Sequence, residues 1–150
     1  MHVRDVVVIS LQKRLAEICR AHGLVLVYFF GARASDGLTL LHGGAVSDGD
    51  PLSDLDVGVV TAEPLPAPSE RAALYAAVHN DLQDILVPLR LDLSLLEENH
   101  SVFQLEAVKG ICVYAKDEQT REDYEMNILR RAADFRPILE AFLREVLEEA

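Results

Sequence analysis

Hydrophobic and polar positions along this chain switch between a period of two and a period near 3.6. Leu24-Val25-Leu26-Val27-Tyr28-Phe29-Phe30 is an unbroken apolar run, the pattern of a strand buried on both faces, and it ends at once in Gly31-Ala32-Arg33-Ala34. Three more aliphatic runs read as strands: about 54–61, Leu91-Asp92-Leu93-Ser94-Leu95-Leu96, and Ile111-Cys112-Val113-Tyr114-Ala115. Helical spacing separates them. Val8, Leu11, Leu15 and Ile18 predict a helix from Asp5 to about His22, with Gly23 as its stop. Leu74, Val78, Leu82 and Ile85 predict another, N-capped by Ser69 and running to about Leu86. A short helix is expected near residues 100–109. Strands and helices in alternation predict an α/β (α+β) domain with a mixed sheet flanked by helices, spanning residues 1–150.

Two stretches interrupt that order. Residues 35–50 hold Gly37, Gly43, Gly44 and Gly49 and read as an inserted flap, with a short hairpin around Leu38-Thr39-Leu40-Leu41. The stretch from about Glu118 to Glu149 is helical, and Pro137 is expected to kink or split it. Its apolar stripe (Tyr124, Ile128, Phe135, Ile138, Phe142 and Val146) reads first as core packing. If the helix projects, the same stripe marks a dimer or partner interface.

Composition narrows the class of function. A net charge of −11 argues against direct nucleic-acid binding, which rests on Lys and Arg replacing counterions. It suits a metal site and a basic protein partner. No apolar run reaches the ~20 residues that span a bilayer, and the N-terminus shows no cleavage signal, so a cytoplasmic protein is expected. Cys19 and Cys112 read as free thiols in apolar patterns, and His22, His42, His79 and His100 as surface or helix-end residues without metal-ligand spacing.

Three aspartates carry the chemistry. Asp54 and Asp56 are two apart on one strand and so share a face, roughly 6.6 Å from each other. If the Asp92 strand lies alongside, at about 4.8 Å, three carboxylates converge. Like charges so placed repel unless a cation offsets them, and a pair of Mg²⁺ ions would do so. Either run alone also fits the solvated face of a half-buried sheet. Arg90 shares a face with Asp92 and reads as its neutralising partner or as a phosphate contact. Ser94, on that face too, has a structural reading. Upstream, a buried strand running into Gly31 and Ala32 lets backbone N–H groups come close to a phosphate. A small-residue turn, a carboxylate pair and a later single carboxylate are the parts of a phosphoryl-transfer site.

The chain resembles the minimal nucleotidyltransferases of the DNA polymerase β superfamily, above all the MNT proteins that pair with HEPN toxins, over about residues 5–145. The resemblance implies that Gly31, Ala32 and Arg33 form the triphosphate turn, and that Asp54, Asp56 and Asp92 bind Mg²⁺ and catalyse transfer. It further implies ATP as substrate, AMP transfer to a tyrosine of a HEPN toxin, and an antitoxin role in a hetero-oligomer, with a homodimer also open. Two departures stand out. Ala32 replaces the family's Ser, losing a hydroxyl contact to phosphate worth on the order of 1.5–3 kcal/mol. Residues 32–53, 22 in number, make an unusually long gap between Gly31 and Asp54, and taking Gly43-Gly44 as the turn would shorten it. Both departures support an alternative: an MNT-fold binding protein, catalytically weak or inactive, that neutralises its partner by occlusion.

Overall fold

Strand β1 (Leu24–Phe30) lies at the centre of a four-stranded sheet ordered β3-β2-β1-β4, and every one of its residues is buried. The computed structural model describes residues 3–46 and 53–149, without the side chains of residues 3–10, 136, 138, 139 and 149. The remaining strands are β2 (Leu55–Thr61), β3 (Leu91–Leu95) and β4 (Ile111–Ala115). The helices are α1 (Val3–His22), α2 (Ala34–Leu41), α3 (Pro68–Leu86), α4 (Ser101–Val108) and α5 (Glu118–Glu149), with a 3₁₀ turn at Leu96–Glu98. β1 runs antiparallel to both its neighbours, β2 and β4. β2 and β3 are parallel, as the α3 crossover between them requires.

Helices cover both faces, which is why β1 reads as continuous hydrophobic sequence. On one face Leu15 and Cys19 of α1 and Val78, Leu82, Ile85 and Leu86 of α3 pack on Val27, Phe29, Val57 and Leu93. On the other, Ala107 of α4 and Tyr124 of α5 meet Leu26, Tyr28, Phe30 and Leu96. A register shift between Leu24 and Leu26 lets the consecutive residues Val25 and Leu26 join the same cluster. Both cysteines are free thiols. Cys19 is buried and Cys112 half-buried, and burial pushes the Cys19 thiol up to about 12.

Three expectations change. The hairpin expected at Leu38–Leu41 is instead α2, whose residues Ala34, Gly37 and Leu41 face the core. Gly37 is not a breaker. A Cβ there would come within 2.7 Å of the Phe29 ring, so its small size lets α2 approach β1 and β2. Residues 47–50 of the expected flap lie outside the described residues. Ser69 is not the cap of α3. The helix starts at Pro68, whose missing N–H costs nothing at the first position. Pro137 does not split α5, which is one element through it. One lost backbone bond is outweighed by a good helix-forming sequence on either side.

The stripe on α5 also divides. Ile128 and Ala132 are buried against Leu105, and the Phe135 ring lies 4.1 Å from that of His100, which caps α4 by accepting from Val102 N–H. Past it, Phe142, Leu143, Val146 and Leu147 are exposed. The expected packing role holds only for the first half. Val8 and Ile138 have side chains outside the described set.

Gly110 precedes β4 beside the end of β1, where a Cβ would collide with the Phe29 carbonyl oxygen. Backbone cannot swing aside, so Gly110→Ala is expected to cost about 1–3 kcal/mol. In a chain this size each kcal/mol lowers the melting temperature by about 2–4 °C. An unchanged melting temperature would show that the sheet end yields freely.

Candidate active site

The register of the sheet builds the site. Asp56 stands opposite Phe30 on one side and Asp92 on the other, so the end of β1 and two carboxylates fall in one row across three strands. Gly31 follows Phe30 directly. Its φ is +76°, a left-handed conformation that L side chains rarely adopt, and a Cβ on it would collide with Oδ2 of Asp56. Gly31 and Ala32 are exposed, and α2 starts just beyond them with no side chain capping its N-terminus. Gly43, with φ +80°, and Gly44 close the opposite end of α2, and a Cβ on Gly44 would meet Thr39. Between the two candidate turns, Gly31 is the one in contact with Asp56. Phe30, directly across from Asp56, forms an apolar wall that Phe103 of α4 meets edge-on at 5.9 Å.

Electrostatics follows from the same row. Burial, then the Asp92 charge and a hydrogen bond with its carboxyl, then the Asp54 charge, hold the Asp56 carboxyl above the usual carboxylate range. Asp54 sits just before β2, partly buried, where the Leu55 N–H donates to the Arg90 carbonyl at 2.8 Å. That strap brings the two side chains together, and Arg90 Nε donates to Asp54 Oδ1 at 2.6 Å. Arg90 was expected beside Asp92. The structure shows it neutralising the first carboxylate. With the guanidinium 65% exposed, the pair adds about 0–1 kcal/mol to stability and acts chiefly on local charge. Arg33 is turned inward, with Nε 3.1 Å from Asp36 Oδ2.

Hard oxygen donors of this kind suit Mg²⁺, and the raised pKa of Asp56 is what a cation would reverse. Among the described residues no three His, Cys, Asp or Glu side chains stand already gathered as a ligand set. Asp56 and Asp92 are together; Asp54 is engaged by Arg90. Sequence reading also missed a feature beside Asp92. On α3 the Tyr75 and His79 rings stack at 6.0 Å, and Gln83 accepts a hydrogen bond from the Leu91 N–H at 3.0 Å. The signal was present: Arg71, Tyr75, His79 and Gln83 recur every fourth residue and so share one face.

A carboxyl whose pKa is raised on folding holds its proton more tightly in the folded chain. Stability therefore falls as pH rises from the ordinary Asp value through the raised one. Asp56→Asn removes that penalty. The variant is expected to melt above wild type near pH 8, with the difference closing as pH drops below about 4. A variant that melts lower at pH 8 would mean the carboxylate is stabilised there, not strained.

Residues 13–119 match the nucleotidyltransferase domain family described as polymerase beta. No curated protein matches the sequence. A toxin–antitoxin complex with AMP-PNP shares the fold with a TM-score of 0.62 and 16% identity, over 91% of this chain and 98% of that one. A tri-AMPylated Shewanella oneidensis HEPN toxin in complex with MNT antitoxin gives 0.60 and 16%, over 92% and 97%. An MntA–HepT toxin–antitoxin structure gives the same figures. At such identity the likeness is one of fold, and the family match supplies the rest: the chain belongs to the polymerase beta nucleotidyltransferase family.

Proposed function

We propose that this chain transfers AMP from ATP to a hydroxyl of a protein partner, and that the partner is a HEPN toxin modified on a tyrosine. The observation that carries this reading is the Asp56 carboxyl, held between Asp92 and a glycine whose left-handed backbone and missing Cβ leave it room. Such a site strains its own carboxylates, which is the arrangement of a cation and phosphate site rather than of a structural one. The family match supports nucleotidyl transfer, and the solved relatives described as holding AMP-PNP and a tri-AMPylated toxin support the nucleotide and the acceptor.

In this reading Gly31 and Ala32 present backbone N–H groups to the triphosphate at the start of α2. Asp54, Asp56 and Asp92 would hold Mg²⁺, which when bound neutralises phosphate charge. The acceptor oxygen attacks the α-phosphorus, the bond to the β-phosphate oxygen breaks, and pyrophosphate leaves. Asp92, the exposed member of the trio, accepts the hydroxyl proton. The exposed Phe142, Leu143, Val146 and Leu147 on α5 give the partner an apolar face to cover. No helix among the described residues is long and apolar enough to cross a membrane.

The Arg90–Asp54 pair favours one other reading, in which an internal cation has replaced the metal and the chain silences its partner by occlusion alone. Calorimetry decides between them. Mg²⁺-dependent ATP binding is expected for the enzyme, and none for the pure binder. Asp54→Asn combined with Asp56→Asn is expected to lower AMP transfer at least 100-fold, a loss of about 2.7 kcal/mol or more in transition-state stabilisation, while the fold survives. Undiminished labelling of the partner by the double variant would overturn the assignment.

A further inference from the structure

The ring pair beside the carboxylate row is unequal. Phe30 is 8% exposed and Phe103 38%, and their rings stand at 87° to each other. The open aromatic surface therefore belongs to Phe103. Single apolar side chains on a surface are ordinary. Where this one lies sets it apart. Phe30 pairs with Asp56 across the strands and packs in the cluster on the α4 and α5 side of the sheet. Asp56 shares that face, because directly paired residues project to the same side. Its hydrogen bond with the Asp92 carboxyl puts Asp92 there too. Gly110, just past the end of α4, presses on the backbone of Phe29 and Phe30, so the helix lies over the end of β1 that leads into Gly31.

The turn that carries Phe103 is held fast. Ser101 and Gln104 on either side of it are buried. Gln104 donates to the Asn99 carbonyl at 2.8 Å and accepts from the Tyr124 hydroxyl at 2.6 Å, and His100 caps the helix. A large ring is thus kept in water on a fixed helical turn, where covering its surface is favourable. Asp56 and Asp92 repel an anionic group placed beside them, whereas a flat uncharged ring meets no such penalty. A nucleotide whose phosphates lie on the Gly31 backbone carries such a ring on a short tether. Gly31, Phe30 and Phe103 follow one another outward from the phosphate turn. We propose that Phe103 is the platform for the base of the nucleotide donor, stacking on one face of the heterocycle while the triphosphate lies at Gly31. The assignment rests on the nucleotidyl transfer proposed above. Every base has a π-face, so the platform supplies affinity and fixes the nucleoside rather than choosing among bases.

Calorimetry with two probes tests the platform: Mg·ATP, which has a base, and Mg·tripolyphosphate, which has none. The wild-type chain is expected to bind Mg·ATP at least tenfold more tightly than Mg·tripolyphosphate. Phe103→Ala should raise the Kd for Mg·ATP about tenfold, or ~1.4 kcal/mol, the scale of one base–aromatic stack, with Mg·tripolyphosphate held within twofold. Phe103→Leu keeps an apolar side chain against Phe30 but no π-face, and should weaken Mg·ATP as Phe103→Ala does. The chain has no tryptophan, so Phe103→Trp places a single indole at the site. Its fluorescence should be quenched by Mg·ATP and not by Mg·tripolyphosphate. Unchanged Mg·ATP affinity in Phe103→Ala overturns the proposal, and is the result expected if the ring serves the acceptor instead. Equal loss of both probes overturns it as well, as does Phe103→Leu binding like wild type, since packing alone would then explain the ring. A wild-type chain that binds both probes equally overturns the platform and leaves the transferase reading standing. One that binds neither overturns the transferase reading and takes the platform with it.

Discussion

Two aspartates face one another across a parallel pair of strands, and neither can move off without breaking the register that the apolar residues around them enforce. Leu55 pairs with Leu91 and Val57 with Leu93, all four buried, so a slip by one residue would turn that whole apolar set outward. Asp56 and Asp92 are held together by their neighbours' burial. The consequence is a carboxyl with its pKa driven up and a local need for positive charge. The turn at Gly31 and the strap through Arg90 are arranged around it. The turn needs a residue without a Cβ because Asp56 fills that space. The strap brings a guanidinium to Asp54, just before β2.

The layers of the domain then decide what can reach the row. Helices α1 and α3 seal one face. Phe30 and Phe103 form an apolar wall on the other, and α3 carries a stripe that Gln83 pins to β3 and that is aromatic in its middle. The second half of α5 leaves the body with its apolar residues uncovered, a poor use of hydrophobic surface in an isolated chain and a sound one where a second protein is bound.

Much of this was legible in the residues. A seven-residue apolar run can hardly be anything but a strand covered on both sides, and Asp-Leu-Asp entering a valine run declares its own facing. Gly37 misled because a glycine read by propensity is a breaker, whereas here it is a contact made close by the lack of a side chain. Ser69 looked like a cap, but Pro68 ahead of it already fits the first helical position. The Arg90–Asp54 pair was not legible, since the shared face with Asp92 is a local rule and the Leu55–Arg90 backbone bond that brings Asp54 near is a tertiary one. Period alone could not say where α5 stops packing, because Ile128 and Val146 look alike until the length of α4 beneath them is known. The stripe of Arg71, Tyr75, His79 and Gln83 was there to be counted, yet it gained meaning only from its place beside Asp92.

The proposed function requires a cation and a triphosphate to share the row between Gly31 and Asp92. Crystals of the chain grown with Mn²⁺ and a non-hydrolysable ATP analogue would test it directly, since manganese scatters anomalously. Anomalous density bounded by Asp54, Asp56 and Asp92 is expected, with Arg90 displaced from Asp54 and the triphosphate against the Gly31 backbone. Manganese elsewhere, or a triphosphate seated at Gly43-Gly44, would contradict it.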